Sequence, residues 1–216
     1  QIQYAKNRPT GYKLSRLMTS NMTDDLDHNY QALKNDLLAS GIVQSVTTAS
    51  GPATSVDSHG DLDQWEGKLP GETVEMGFIF ASSDYFKTLG MQMESGRDFI
   101  PNFKGDSTNI VLNQAAAKRL RLKNPVGQII TKNDVHYKVI GVVKDALMIS
   151  PYAQADPTIF AYGGGWCLMY NLSPNVNTHE AVAKLTPIFN KYNPAYPYEY
   201  RFVDDLYNKK FSEEQL

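Results

Sequence analysis

Residues 77–144 restrict the fold of this 216-residue chain more than any other stretch, because strand and helix patterns follow one another along it. The order predicted is a strand, a short helix, a strand, a second helix and two closing strands. Val74, Met76, Phe78 and Phe80 alternate along the first strand, which is the period of a strand with one buried face. This order predicts a mixed α/β unit in the middle of the chain.

The two helices of this unit have recognisable ends. Ser82 or Ser83 is expected to cap the first helix at its N-terminus, and Gly90 to end it. Asn113 is expected to cap the second helix. We expect Gly90 and Gly127 to have positive φ or to lie where a Cβ atom would clash.

A turn is predicted at Ser95 and Gly96, between the first helix and the second strand. Arg97 and Asp98 follow it and could be mistaken for catalytic groups. Beside Gly96 they are expected instead to fix the turn through hydrogen bonds, so that Phe99 enters the core.

A β-α-β unit is predicted at each end of the chain. The first has strands at 12–22 and 42–49, the second of them half-buried, with a helix between. The second has a strand at 166–172, a helix that begins at Asn177 and a closing strand at 198–202. Fold-level rules allow the two units to pair into one split ferredoxin-like layer.

Spacing of apolar residues marks the buried face of each terminal helix. Asp24, Asp25 or Asp27 is expected to cap the first helix, and Pro187 to kink or shorten the second. The residues expected on the buried faces are Tyr30, Leu33, Leu37 and Leu38, and Val182, Leu185, Phe189 and Tyr192.

Two stretches without helix or strand patterns separate the terminal units from the middle of the chain. Residues 50–71 are mostly Gly, Pro, Ser, Asp and Thr, which predicts a loop or linker. Gly163, Gly164 and Gly165 are consecutive, which predicts a hinge or crossover. Alanine at all three is expected to leave folding largely intact.

The predicted fold class is therefore α+β with two subdomains. Residues 1–52 plus 163–216 form one, and the mixed α/β insert 53–162 forms the other.

Composition and motifs argue against several classes of function. With 42% hydrophobic and 11% aromatic residues the chain is an ordinary folded protein, and a net charge of −2 argues against nucleic-acid binding. The chain has no nucleophile elbow and no phosphate-binding glycine loop. The acidic segment 56–63 departs from the calcium-loop pattern, and His28, His136 and His179 lack zinc-ligand spacing. We expect no catalytic, metal or cofactor site.

Cys167, the only cysteine, is expected in a strand. Two further sets of residues leave alternatives open. A basic patch is a solvated face or, alternatively, a partner contact; it comprises Lys118, Arg119, Arg121 and Lys123. Four aromatic residues pack in the core or line a ligand cleft between the subdomains; they are Trp65, Trp166, Tyr196 and Tyr198.

Four blocks of the central stretch carry a family resemblance. They read DYFKTLGMQMESGRDF, IVLNQAAAKRL, NPVGQII and YKVIGVVKD, in that order. Together they resemble the extracytoplasmic core domain of the MacB/FtsX-type ABC transporter permeases. The tail YNPAYPYEYRFVDD is similar to the segment before the second membrane helix in Bacteroidetes members, and the start QIQYAKNRPTGY to the exit from the first.

The resemblance implies a porter-like subdomain made from both chain ends and an inserted Sabre-like subdomain. It implies membrane helices beyond both ends of this chain, so Gln1 and Leu216 are expected at the same end of the molecule. The implied place is the periplasmic side of the bacterial inner membrane. The implied partners are a cytoplasmic ABC ATPase, a second permease copy, and a periplasmic adaptor, lipoprotein or regulated enzyme.

The function implied is mechanical and non-catalytic: the domain relays ATP-driven motion for export or partner regulation. ATP is used by the ATPase, and no cofactor is expected in this domain. The alternative is an extracytoplasmic ligand-binding or sensory module.

Overall fold

The structure is a computed structural model that describes residues 14–51, 56, 58–146 and 154–214. It has the α+β fold expected from the sequence, with one large mixed sheet flanked by helices. The strands are β1 Leu17–Asn21, β2 Val43–Ala49, β3 Ser58–Asp61, β4 Glu75–Ala81, β5 Met93–Gly96, β6 Asn109–Asn113, β7 Ile129–Lys132, β8 Val135–Val143, β9 Thr158–Tyr162, β10 Cys167–Leu172 and β11 Arg201–Phe202. The helices are α1 Asp24–His28, α2 Tyr30–Ala39, α3 Tyr85–Leu89, α4 Gln114–Arg119, α5 Thr178–Tyr192 and α6 Val203–Glu214, with a 3₁₀ helix at Lys104–Thr108.

The strand order separates the chain ends from its middle. Along the sheet it is β11-β1-β10-β2-β4-β9-β6-β8-β5, with β3 paired to β4 and β7 paired to β8. The four strands from the chain ends form one half of the sheet, which we call the terminal half. The strands from the middle of the chain form the other, the inserted half. The predicted boundary at 52/53 lies outside the described residues.

The terminal half of the sheet is covered on both faces. On one face α1, α2 and α5 pack against the strands through residues such as Leu33, Leu185 and Phe189. On the other face α3 packs against β2 and β10. Every residue of β2 except Gln44 is therefore buried, and the prediction of a half-buried strand was wrong.

Capping residues differ from the prediction at two helices. Thr23, not an aspartate, caps α1, and its Oγ1 accepts a hydrogen bond from the Leu26 N–H at 3.2 Å. The aspartates lie inside the first turn, where a negative carboxylate interacts favourably with the positive end of the helix dipole. Asp84 occupies the N-cap position of α3 with φ 66° and no side-chain cap, while Ser82 Oγ accepts from the Thr48 N–H of β2.

One further prediction for the terminal helices was wrong and another holds at most in part. Leu38 is 39% exposed, because it follows Leu37 by about 100° around the helix and leaves the buried face. Helix α5 continues through Pro187, so it is not shortened there, and the predicted kink stays a prediction. Proline removes a hydrogen bond to the carbonyl of Ala183, but both residues are exposed and water reaches that group.

Strand β4 is buried on both faces. Val74 and Met76 pack in the core of the inserted half, and Ile79 and Ala81 in a core that both halves share. Phe80 lies on the same face as Met76 but is 45% exposed. The prediction of one buried face was therefore wrong.

The stretch predicted as a linker, residues 50–71, is built into the inserted half where it is described. It contains β3, and Trp65 is only 1% exposed. Gln64 pairs with Thr131 of β7, with backbone hydrogen bonds in both directions. This bridge closes the strands β3-β4-β9-β6-β8-β7 into a small barrel.

Candidate functional site

The chain enters and leaves the sheet at one place. Strands β1 and β11 are antiparallel, with Met18 opposite Phe202, so the start of β1 and the end of β11 lie side by side. Helix α6 begins directly at Val203, which is fully buried in the same core cluster as Leu14 and Leu17. The segment before β1 and the start of α6 are thus both anchored in the core. Gln1 and Leu216, which were expected at the same end of the molecule, lie outside the described residues.

The two halves of the sheet are joined by a very short ladder. One residue pair, Ala49 of β2 and Ala81 of β4, makes the strand contact. The flanking backbone hydrogen bonds run from Ser50 N–H to Phe80 O at 2.8 Å and from Ser82 N–H to Thr48 O at 3.0 Å. Backbone pairing alone therefore holds the halves weakly.

Packing joins the halves more firmly than the ladder does. Tyr85 and Phe86 of α3 lie in one cluster with Ala49, Cys167 and Met169 of the terminal half. The same cluster extends through Phe86 to the aromatic ring of Phe160, at a centroid distance of 4.9 Å. Moving one half against the other would expose this shared core, which opposes such motion. Cys167 is a buried residue of β10, as predicted.

The glycine triplet connects β9 to β10 beside this ladder. Gly163 N–H donates to Ala81 O at 3.0 Å. A Cβ atom on Gly164 would lie 3.2 Å from Thr48 Oγ1, and one on Gly165 only 2.2 Å from Ala49 O. Gly165 therefore lets the connection run directly against β2, and the expectation that alanine is tolerated at all three positions fails there. The hinge role itself stays a prediction.

Three other glycines singled out in the sequence lie away from the triplet. Gly90 ends α3 with φ 67°, and Gly127 has φ 96°, which confirms the positive φ predicted for both. Gly96 has φ 72°, and a Cβ atom there would lie 2.0 Å from Ile140 O. Gly90 ends a helix, Gly127 lies in a turn and Gly96 ends β5, so the three do not form a common site with the triplet.

Asn113 joins two elements of the barrel. Its Oδ1 accepts from the Ala116 N–H at 2.9 Å, which confirms the predicted cap of α4, and from the Thr158 N–H at 3.0 Å. Its Nδ2 donates to Asp156 O at 2.8 Å. The buried amide therefore also fixes the start of β9.

The predicted turn at Ser95 and Gly96 was wrong, because both residues belong to β5 and pair with β8. The hydrogen bonds predicted for the residues that follow are present. Asp98 Oδ1 accepts from the Phe99 N–H at 2.6 Å, Arg97 donates to Asp98 O at 3.0 Å, and Phe99 is 3% exposed. Burial raises the pKa of Asp98 to about 6. The charges of Asp84 and Asp106 add to this rise, and Arg97 opposes it. Because the Asp98 carboxylate holds the backbone N–H of Phe99, we assign Asp98 a structural role.

Asp106 was missed by sequence reasoning. Its side chain is fully buried and accepts hydrogen bonds from Arg97 at 2.8 and 3.3 Å, the Ile100 N–H at 2.7 Å and Asn109 Nδ2 at 2.8 Å. Burial alone would raise the pKa of Asp106, but these donors together lower it. An acid in a short polar stretch gives no sequence signal for this role.

The basic patch is partly neutralised. Arg121 makes two hydrogen bonds to Glu72, at 2.7 and 2.8 Å, and Arg119 lies 3.8 Å from the same carboxylate. The Arg121 hydrogen bond holds the pKa of Glu72 at about 2. Of the four basic residues, Lys118 and Lys123 are therefore the ones that could still make the partner contact that the sequence left open.

The four aromatic residues considered for a cleft between the subdomains do not meet. Trp65 is buried in the barrel, whereas Trp166 and Tyr196 are 49% and 59% exposed on the terminal half. Tyr198 stacks on Phe189 at 4.4 Å and hydrogen-bonds Tyr170. That version of the ligand-binding alternative was wrong.

The described residues form neither a metal-binding cluster nor a membrane-spanning helix. No group of three or more His, Cys, Asp or Glu residues in the described part of the chain could hold a metal ion. No helix formed by those residues is both long and apolar enough to cross a bilayer.

Comparison with known proteins gives one family and a set of similar folds. Residues 7–188 match the family model of the MacB-like periplasmic core domain. The chain is similar to the periplasmic region of MacB from Actinobacillus actinomycetemcomitans, with TM-score 0.62 and 18% identity over 96% of this chain and 97% of that one.

Two further structures share the fold. The extracellular domain of YknZ, a noncanonic ABC-type transporter from Gram-positive bacteria, gives TM-score 0.54 and 14% identity over 86% of this chain and 97% of that one. A domain assigned to a permease of Porphyromonas gingivalis gives TM-score 0.51 and 14% identity over 75% of this chain and 69% of that one. No curated protein sequence matches the chain.

Proposed function

Because this chain belongs to the MacB-like periplasmic core domain family, we propose that it relays ATP-driven motion across the membrane for an ABC transporter permease. The family match agrees with the resemblance of the four sequence blocks. The observation that carries the proposal is the side-by-side placement of β1 and β11, where the chain enters and leaves the sheet. A domain inserted between two membrane helices has to return to the surface it left.

The relay starts where the connecting segments are anchored. Val203 and Leu17 are both fully buried in the shared core, so a displacement of α6 or of the segment before β1 moves the sheet with it. The interior is close-packed and transmits strain rather than absorbing it. The chemistry of ATP is left to the cytoplasmic ATPase, and this domain contributes no catalytic group.

Two motions could carry the relay: one half of the sheet against the other at the glycine triplet, or whole domains of neighbouring copies against each other. The core that contains Tyr85, Phe86, Ala49 and Met169 spans both halves, which favours the second. The domain then works as one rigid lever on the outer side of the inner membrane. Its proposed partners are a second permease copy and a periplasmic adaptor, lipoprotein or regulated enzyme.

A disulfide across the short ladder tests which motion occurs. Ala49 and Ala81 face each other as a non-hydrogen-bonded pair, because the bonds run between their neighbours. Such pairs have Cα atoms about 4.5 Å apart, within the range of disulfides. Ala49→Cys together with Ala81→Cys would link the two halves covalently; we call this disulfide the staple. The variant is made in a Cys167→Ala background, because Cys167 lies opposite Ala49 on β10 and would compete for the new thiol.

The full-length permease with this staple is expected to complement the phenotype of a permease deletion as well as wild type at matched expression. Thiol labelling would verify that the bond forms, and Ala49→Cys alone in the same background is the matched control. Loss of complementation that returns on reduction would contradict the rigid lever and establish the hinge at the triplet.

A further inference from the structure

One end of the barrel is filled and the other is open. At the filled end Trp65, Ala116 and Leu120 are buried. At the open end a cavity of about 230 Å³ lies between the strands, lined by all six of them. We call this cavity the barrel mouth; its apolar walls are Phe78, Phe80, Ile110, Ile130, Ile159 and Ala161.

The walls of the barrel mouth are already in place. Ile110, Ile130 and Ile159 are each 1–2% exposed, while Phe80 at the rim is 45% exposed. Mouths of β-barrels are a common place for small-molecule sites, which combine apolar walls with few polar groups. An apolar cavity of about 150 Å³ holds a benzene ring. The barrel mouth therefore has room for one ring with a short chain.

Lys132 is the one Lys, Arg, Asp or Glu side chain among the described residues that line the barrel mouth. Lys132 Nζ lies 4.7 Å from the centre of the Phe78 ring and donates to Asp61 O at 2.9 Å. Among the described residues no carboxylate lies within ion-pair distance of Lys132. His59, which also lines the barrel mouth, has its Nε2 2.7 Å from Asp156 Oδ2. A half-buried ammonium beside an apolar cavity favours a ligand that brings its own negative charge.

We propose that the barrel mouth binds a small amphipathic anion, an arylalkyl carboxylate in chemical class. The ring occupies the space between Phe78, Phe80 and Ile159, and the carboxylate pairs with Lys132 at the rim. The site lies wholly within the inserted half. It is independent of the mechanical role, and either can fail without the other.

The test is an NMR titration of this chain with 4-phenylbutyrate, using 4-phenylbutanol as the uncharged probe. Saturable shifts are expected for the backbone amides of 59–61, 78–80 and 130–132. Lys132→Met keeps the apolar stem of the side chain but removes its charge. It is expected to weaken the binding of 4-phenylbutyrate about tenfold and to leave the affinity for 4-phenylbutanol nearly unchanged. Lys87→Met, at an exposed position on α3, is the matched control.

Ala161→Leu places extra volume in the barrel mouth and is expected to abolish binding of both probes. The wild-type titration needs no variant to fold. Shifts confined to other residues, or no saturation, would overturn the proposal. Equal weakening by Lys132→Met and Lys87→Met would overturn it as well.

Discussion

Asp106→Asn is expected to lower the free energy of unfolding of this chain by about 3 kcal/mol at pH 7, measured by urea unfolding. The carboxylate is fully buried and accepts from Arg97, Asn109 and the Ile100 N–H. An amide in its place turns one acceptor into a donor that faces these donors. It also leaves the Arg97 charge without its partner.

Asp98→Asn on the same turn is the matched control, and its effect has the opposite sign. Asp98 has a pKa raised to about 6 by burial, so its charged form is disfavoured in the folded state at pH 7. The neutral amide removes this cost and keeps an oxygen that accepts from the Phe99 N–H. Asp98→Asn is therefore expected to be neutral or stabilising.

The pH dependence separates the two aspartates further. An unfolded aspartate titrates near pH 3.9. The Asp98 contribution is present below about pH 4 and is lost as the pH rises through about 6, because its folded pKa is raised. The pKa of Asp106 is lowered, so its contribution is present above about pH 4 and is lost in acid. Equal destabilisation by both variants at pH 7 would contradict these assignments.

Gly165→Ala is expected to lower the free energy of unfolding by about 3 kcal/mol. The added Cβ atom would lie 2.2 Å from Ala49 O and 2.5 Å from Ser50 N. Both atoms belong to the backbone of the ladder region, so no side-chain rotation relieves the contact. The connection from β9 to β10 has to move away from β2 instead.

Gly163→Ala, two residues away, is the matched control in the same loop. Its Cβ atom would lie 3.5 Å from the Phe80 side chain, an ordinary van der Waals contact. Alanine also reduces the freedom of the unfolded chain, so the variant is expected to be neutral or slightly stabilising. Thermal unfolding of both variants is the measurement. Indistinguishable melting temperatures would contradict the close approach at Gly165.

Local sequence signals predicted the elements that depend on local physics. Asn113 and Asn177 cap their helices through their own side chains, and Gly90 ends α3 in the left-handed conformation. Strand β10 agrees with the predicted strand 166–172 to within one residue, because an apolar run of that length fits a buried strand. The family resemblance implied the same layout of two subdomains.

Long-range packing decided the features that the sequence did not predict. Trp65 lies in a stretch with loop composition, yet it is buried because the barrel closes around it. Strand β4 is buried on both faces since it lies between two cores. Asp106 meets the Arg97 side chain only after the turn folds back. None of these contacts has a signature in neighbouring residues.

The account of a rigid lever is tested most directly by distances between spin labels in the full-length permease with its ATPase. Leu69 of the inserted half and Tyr196 of the terminal half are each 59% exposed and accept labels in a Cys167→Ala background. ATP binding is expected to change the Leu69–Leu69 distance between two copies and to leave the Leu69–Tyr196 distance within one copy unchanged. A Leu69–Leu69 distance that is the same with and without ATP, or a Leu69–Tyr196 distance that changes, would contradict it.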